Sequence, residues 1–339
     1  MRNRAAVLHG VGDVRLEDRA VPDPGPGEVL VEVIAVGVCG SDVHYYEHGR
    51  IGSHVVQAPL VLGHEVCGRV VARGPGADRH EDGARVALEP GVPCRRCREC
   101  RAGRYNLCAE VRFFGTPPID GAFTHFVTIH EDFAFALPDQ LSDEAGALME
   151  PLSVGVWACR KAGVSAGDRV LVTGAGPIGL LALQAARAFG AGEVTISDVN
   201  PHRLELARRT GATRALDVTR EPLEEAGLEV DAVIECSGRP DALVAGIAAL
   251  RPAGTAVVVG MAPDGDATIP LSLIQGRELW LTGTFRYADT YPTAIALAAA
   301  GRVDVEAIIT GHYGLEDTDA ALRSAREDPH AIKVMVMPR

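Results

Sequence analysis

Four of the chain's eight cysteines, Cys94, Cys97, Cys100 and Cys108, fall within the fifteen residues CRRCRECRAGRYNLC. The C-x2-C-x2-C-x7-C spacing fits either a disulfide framework or a metal site. A chain of 339 residues has enough material for a hydrophobic core and needs no staples. The N-terminal MRNRAAVLHGVGDVRLED lacks the apolar run and small residues of an export signal, so a cytoplasmic location is expected. Thiols stay reduced there, and clustered cysteines read as metal ligands. Four thiolates from one loop can close a tetrahedral shell and leave no position for substrate, which predicts a structural zinc. Arg95, Arg96, Arg98, Arg101 and Arg104 would offset its negative charge.

A second set of metal-type residues lies elsewhere: Cys39 in VCGSDVHYYEHG, His64 and Glu65 in VLGHEVCG, and Glu150 in LMEPLSVG. A catalytic zinc keeps about three protein ligands and an open position. Cys39, His64 and Glu65 are the right types, but neighbours on a regular strand point to opposite faces. His64 and Glu65 can therefore share a metal only if the backbone bends, and Glu150 is the carboxylate that could take the place of Glu65. Asp42 is a candidate to orient His64 from behind.

The third motif is Gly174-Ala-Gly176-Pro-Ile178-Gly179, a G-x-G-x-x-G that follows the apolar RVLVT and opens a helix-length segment. Asp198 closes the next strand-like run. Glycines let the backbone approach a pyrophosphate, the helix N-terminus supplies amide donors, and a carboxylate accepts from the ribose hydroxyls. At an effective dielectric near 20, Asp198 about 4 Å from a 2'-phosphate would cost roughly 4 kcal/mol per charge pair, which favours NAD over NADP. Arg203, five residues on, could instead accommodate that phosphate, pair with Asp198 or lie on the adenine.

These motifs sit in two textures that change near residue 150. Before it, short β-type runs separated by glycine and proline (29–38, 68–74, 84–91, 123–130) indicate a small, mostly β barrel or sandwich. After it, strands alternate with helix-length segments, the pattern of a parallel sheet covered on both faces. The overall class is α/β. The last 50 residues do not continue the alternation. A net charge of −12 argues against nucleic acid and anionic membranes as partners, and no apolar stretch reaches the ~20 residues a membrane span needs. His48, His54 and His125 match no ligand spacing, and Cys67, Cys159 and Cys236 read as packing thiols.

The segments GVCGSDVHYYEHGRIG, LVLGHE, GRYNLC, ALMEPLSVGV, GAGPIGL and GTFRYADTYPTAI resemble the polyol branch of the zinc-dependent medium-chain dehydrogenases, which includes sorbitol (L-iditol 2-) and xylitol dehydrogenases. Ordinary alcohol dehydrogenases of the family carry a cysteine where this chain has Glu150. The resemblance implies a GroES-like catalytic domain over 1–151 with a zinc lobe near 90–110, completed by 287–339, and a Rossmann NAD-binding domain over 152–286. It implies one catalytic zinc on Cys39, His64 and Glu65, with Glu150 bound through water or directly, and one structural zinc on the four-cysteine loop. Tyr45, Glu150, Arg286 and Tyr287 would face the substrate. Ile178, Val259, Gly260, Met261 and Phe285 would join Gly174, Gly176, Gly179, Asp198 and Arg203 around NAD. A homotetramer is the implied assembly.

The implied reaction oxidises the C2 hydroxyl of a polyol to a ketose, with Ser41 receiving the proton and His44 or ordered water passing it on. Two other functions stay open: a dehydrogenase of another secondary alcohol, of threonine or butanediol type, and a zinc- and nucleotide-binding protein without turnover.

Overall fold

The computed structural model describes residues 2–262 and 266–338. The chain divides into two compact units, Met1–Glu150 with Ile309–Arg339, and Pro151–Ile308.

The first unit is built on a seven-stranded sheet in the order Ala134–Ala136, Arg85–Leu88, Glu65–Arg73, Glu28–Gly37, Lys333–Met337, Ile309–Gly314, with Phe126–His130 also paired to Glu28–Gly37. The β-branched run EVLVEVIAVG makes that central strand: Val29, Val31, Val33 and Val36 are all buried at 4% exposure or less. They share one core cluster with Val66, Val70, Val86 and Leu88 of the neighbouring strands Glu65–Arg73 and Arg85–Leu88. Full burial of such a side chain contributes roughly 1.5–3 kcal/mol each. Cys39 lies two residues beyond the end of Glu28–Gly37, and Glu65 pairs in register with Gly37.

Cys39 also caps the helix Gly40–His48, its N–H donating to Asp42 Oδ2 at 2.9 Å. The helix stops at Gly49, whose φ of 66° places it in the left-handed region.

The second unit holds a six-stranded, all-parallel sheet: Arg214–Asp217, Glu193–Asp198, Arg169–Thr173, Val230–Glu235, Leu250–Val258, Trp280–Gly283. Numbered by appearance in this unit, its strands run 3-2-1-4-5-6, the doubly wound order, with the switch point between Arg169–Thr173 and Val230–Glu235. The helix Pro177–Ala188 begins with proline at its first turn and buries Leu180, Leu181 and Leu183 completely.

The chain returns to the first unit at Ile309 rather than at 287. The reason is local bonding. Arg160 donates to the Asp289 carbonyl and to Thr293 Oγ1, both at 2.7 Å, and Gln184 is bonded to the backbone of Asp304 through both ends of its amide. The segment 289–304, with the helix Tyr291–Ala299, therefore belongs to the dinucleotide-type unit.

Candidate metal centres and cofactor site

Cys39, His64 and Glu65 form one cluster whose ligand atoms all lie within 4.8 Å of one another. The bend this requires is present. Gly63 has φ +90°, a conformation that side chains rarely adopt, and His64 stands outside the regular strand that starts at Glu65. His64 and Glu65 are 6% and 0% exposed. Glu150, also buried, is not in the cluster. A cysteine sulfur, an imidazole and a carboxylate converging at a largely buried site fit a catalytic zinc.

Asp42 ties the ligand segments together. Its Oδ2 accepts from the Cys39 N–H and its Oδ1 from the Gly63 N–H, both at 2.9 Å, and Oδ1 lies 3.5 Å from His64 Nδ1. Burial pushes the Asp42 carboxyl up, but His64 and the two backbone donors outweigh it and hold it below the usual carboxylate range. Lys333, from the C-terminal strand, is the site residue that motif reading missed. Its ammonium donates to both oxygens of Glu65 and to the Val38 carbonyl, directly before Cys39. Burial lowers its pKa, yet Glu65 and Cys39 more than compensate and the ammonium is held above its ordinary value. Phe113 was also missed; its ring lies 5.6 Å from that of His64. Neither residue belongs to a motif, and only the lone lysine in IKVMVMP hinted at a role.

Ser41 and His44 sit three residues apart on the helix Gly40–His48, a spacing that shares one face. Burial, and then His48, lower the His44 pKa; the two rings are 4.6 Å apart. Tyr45 is 4% exposed.

The four loop cysteines form the second cluster, again within 4.8 Å. All are free thiols. The Cys97 and Cys100 sulfurs are 3.4 Å apart, far beyond a disulfide, which near 2.05 Å is ruled out here. The Cys97 sulfur accepts from the Cys100 N–H, and the Cys108 sulfur from the Cys94 N–H. This donor set fits a closed zinc site. Three of the arginines between the cysteines pair with carboxylates: Arg96 with Glu110 at 2.8 Å, Arg104 with Glu99 at 2.7 Å, and Arg95 with Asp132 at 3.1 Å.

In the second unit, Gly174, Gly176, Asp198 and Arg203 line a cavity of about 650 Å³, with Ser237 and Glu224. A Cβ on Gly179 would stand 1.8 Å from the Gly174 carbonyl, so the helix can meet the turn only through glycine. Asp198 Oδ2 accepts from the Ala175 N–H at 2.6 Å and Oδ1 from the Asn200 N–H at 2.8 Å, which fixes the carboxylate beside the glycine turn. Arg203 Nε is buried with no hydrogen-bond partner, and no ion pair joins it to Asp198 among the described residues. The donors and the carboxylate at this crevice fit NAD.

Ile178, Val259, Gly260, Met261 and Phe285 do not line this cavity, and Met261 and Phe285 are 60% and 53% exposed. Arg286 has φ 55°, with its guanidinium 4.9 Å from the Phe285 ring. Tyr287 is buried against Tyr291. Cys67 and Cys159 are buried, and burial pushes the Cys67 thiol up to about 12. Cys236 differs in lying on the cavity wall, where burial and then Glu235 keep its thiol well above the ordinary value.

A β unit carrying two zinc-type clusters, joined to a doubly wound unit with a dinucleotide cavity, defines a zinc-dependent dehydrogenase. Comparison with known proteins agrees. Residues 25–139 match the alcohol dehydrogenase GroES-like domain and residues 177–300 the zinc-binding dehydrogenase domain. The chain belongs to the zinc-dependent medium-chain dehydrogenase family. It is 43% identical to a sorbitol dehydrogenase of Bacillus subtilis over 99% of this chain and 97% of the relative. Among solved structures, an oxidoreductase of unknown specificity from Escherichia coli superposes with a TM-score of 0.95 at 35% identity, covering 99% of both chains. The L-idonate 5-dehydrogenase of Escherichia coli gives 0.93 at 31% identity, covering 99% of this chain and 98% of that one.

Proposed function

We propose that this protein oxidises the C2 hydroxyl of a polyol such as sorbitol or xylitol: polyol plus NAD+ gives ketose, NADH and a proton. The observation that carries the reading is the full-length similarity to a sorbitol dehydrogenase in a chain that keeps Cys39, His64 and Glu65 together.

Cys39, His64 and Glu65 would hold the catalytic zinc. Such a zinc acts as a Lewis acid that makes a nearby hydroxyl easier to deprotonate. Ser41 takes the proton of the substrate hydroxyl as it gives up its own, and His44, its pKa lowered by burial and then by His48, passes that proton onward. Tyr45, Glu150, Arg286 and Tyr287 are the proposed contacts of the polyol hydroxyls. Asp198 holds the adenosine ribose, with Arg203 beside it. Ile178, Val259, Gly260, Met261 and Phe285 are proposed to meet the rest of the cofactor. Among the described residues no helix is long and apolar enough to cross a membrane. The proposed location is the cytoplasm. A homotetramer is the proposed assembly; Trp280, 71% exposed on the edge strand Trp280–Gly283, is a surface that association would cover.

The test is a set of initial rates with sorbitol, xylitol, ribitol and L-iditol, each with NAD and NADP. Turnover of sorbitol or xylitol with NAD is expected. Turnover of threonine or a butanediol with no polyol activity would overturn the reading.

A further inference from the structure

We propose that Glu235 is a positioning residue for the dinucleotide, a carboxylate that pins together the three strand ends forming the crevice at the sheet's switch point. Glu235 is the last residue of Val230–Glu235 and is 1% exposed. It stands in register with Thr173 on one side and Val258 on the other.

Its two polar ends act on different neighbours. The side-chain Oε1 accepts from the Ser237 N–H at 2.7 Å, the Ser237 hydroxyl at 2.5 Å and the Gly238 N–H at 2.9 Å, with the Thr173 hydroxyl 3.4 Å away. This closes the turn Cys236–Gly238 back over the end of its own strand. The Glu235 carbonyl accepts from the N–H groups of Val259 and Gly260, at 2.8 and 2.9 Å, which holds the next strand end. The third end is the glycine turn: a Cβ on Gly174 would stand 2.9 Å from the Ser237 backbone, so these two turns touch directly. Ser237, Cys236, Gly174 and Gly176 all line the cavity.

A carboxylate buried without donors would be costly, so the three close donors are satisfied and the turn conformation is fixed at the same time. Glu235 itself is not among the residues lining the cavity and acts through Ser237 and Gly238. Loss of Oε1 would release the Cys236–Gly238 turn, and through it the wall against which the glycine turn rests. The cofactor would then have to order this wall on binding, and affinity would fall.

The inference rests on the cavity being the NAD site. The test is direct titration of the zinc-loaded enzyme with NAD and NADH, followed by nicotinamide fluorescence, alongside steady-state kinetics and metal content. Glu235→Ala should raise the dissociation constant for NADH about tenfold or more, while kcat at saturating NAD falls less than twofold and polyol KM and zinc content hold. Glu235→Gln keeps an acceptor oxygen and should recover most of the affinity. Ser237→Ala removes a single donor and should raise the constant about threefold, which keeps the test available if Glu235→Ala fails to fold. A purely structural role would lower thermal stability and leave the affinity of the folded variants unchanged; that result overturns the inference. Wild-type enzyme that binds neither NAD nor NADH would instead overturn the assignment of the cavity.

Discussion

Lys333 Nζ stands 2.7 and 2.9 Å from the two carboxylate oxygens of Glu65, and the two side chains are 2% and 0% exposed. Removing one partner of a buried ion pair leaves an uncompensated charge and costs about 3–5 kcal/mol. Zinc beside Glu65 would supply part of the positive charge that Lys333 otherwise provides alone. Lys333→Met should therefore destabilise the chelator-stripped protein by about 3–5 kcal/mol and the zinc-loaded protein by clearly less. Denaturant unfolding of both forms checks this. An equal loss in the two would mean that the lysine serves the fold and not the metal site.

The same cluster separates the two glutamates. Because Glu65 is in it and Glu150 is not, Glu65→Gln should lower zinc occupancy and activity together, with metal affinity falling about 10–100-fold or more. Glu150→Gln should lower activity with less metal loss. Metal analysis after dialysis against a weak chelator ranks them, and the opposite ranking would make Glu150 the tighter ligand.

How much of this was legible in the sequence follows from the range of the interactions. The G-x-G-x-x-G turn, its following aspartate and the four-cysteine loop are local, so spacing alone located them. The β runs were found to within a few residues because segments such as EVLVEVIAVG are rich in β-branched residues, with Val29, Val31 and Val33 buried. The bend at His64 was readable only as a requirement, since nothing in LGHE states the φ of Gly63. The lone lysine in IKVMVMP could be noticed but not placed: the partner of Lys333 is 268 residues away, and the pairing exists only because the C-terminal strand lies against Glu28–Gly37. The domain return was misplaced for a related reason, because Arg160 and Gln184 hold 289–304 by bonds spanning more than a hundred residues.

Asp198 sets the cofactor preference. Its carboxylate is fixed by the Ala175 and Asn200 N–H groups, so it cannot easily swing away from a 2'-phosphate. A preference for NAD of at least about a hundredfold in kcat/KM is expected, equivalent to about 2.7 kcal/mol. Asp198→Ala should lower efficiency with NAD, since two donors beside the glycine turn lose their acceptor, and should narrow the gap to NADP. Equal efficiency of the wild-type enzyme with both cofactors would show that Arg203 governs the site instead.

The cysteine loop and the Cys39 cluster should respond to substitution in opposite ways. The loop is fastened to its unit by side chains that flank the cysteines. Tyr105 donates to Glu89 at 2.8 Å and packs edge-on to Phe133, while Arg95 lies over the same Phe133 ring and pairs with Asp132. These contacts hold only while the loop keeps its shape, and the zinc is what closes four thiolates into that shape. Cys100→Ser should therefore remove one of two zinc ions per chain and lower the melting temperature by about 5 °C or more, since 1 kcal/mol is worth about 2–4 °C in domains of this size. Cys39→Ser should abolish turnover and leave the melting temperature nearly unchanged, because Asp42 still spans the Cys39 and Gly63 N–H groups. Metal analysis and thermal unfolding of both variants decide the matter. A fully active enzyme holding one zinc, with Cys100→Ser as stable as the parent, would remove the loop from the list of metal sites.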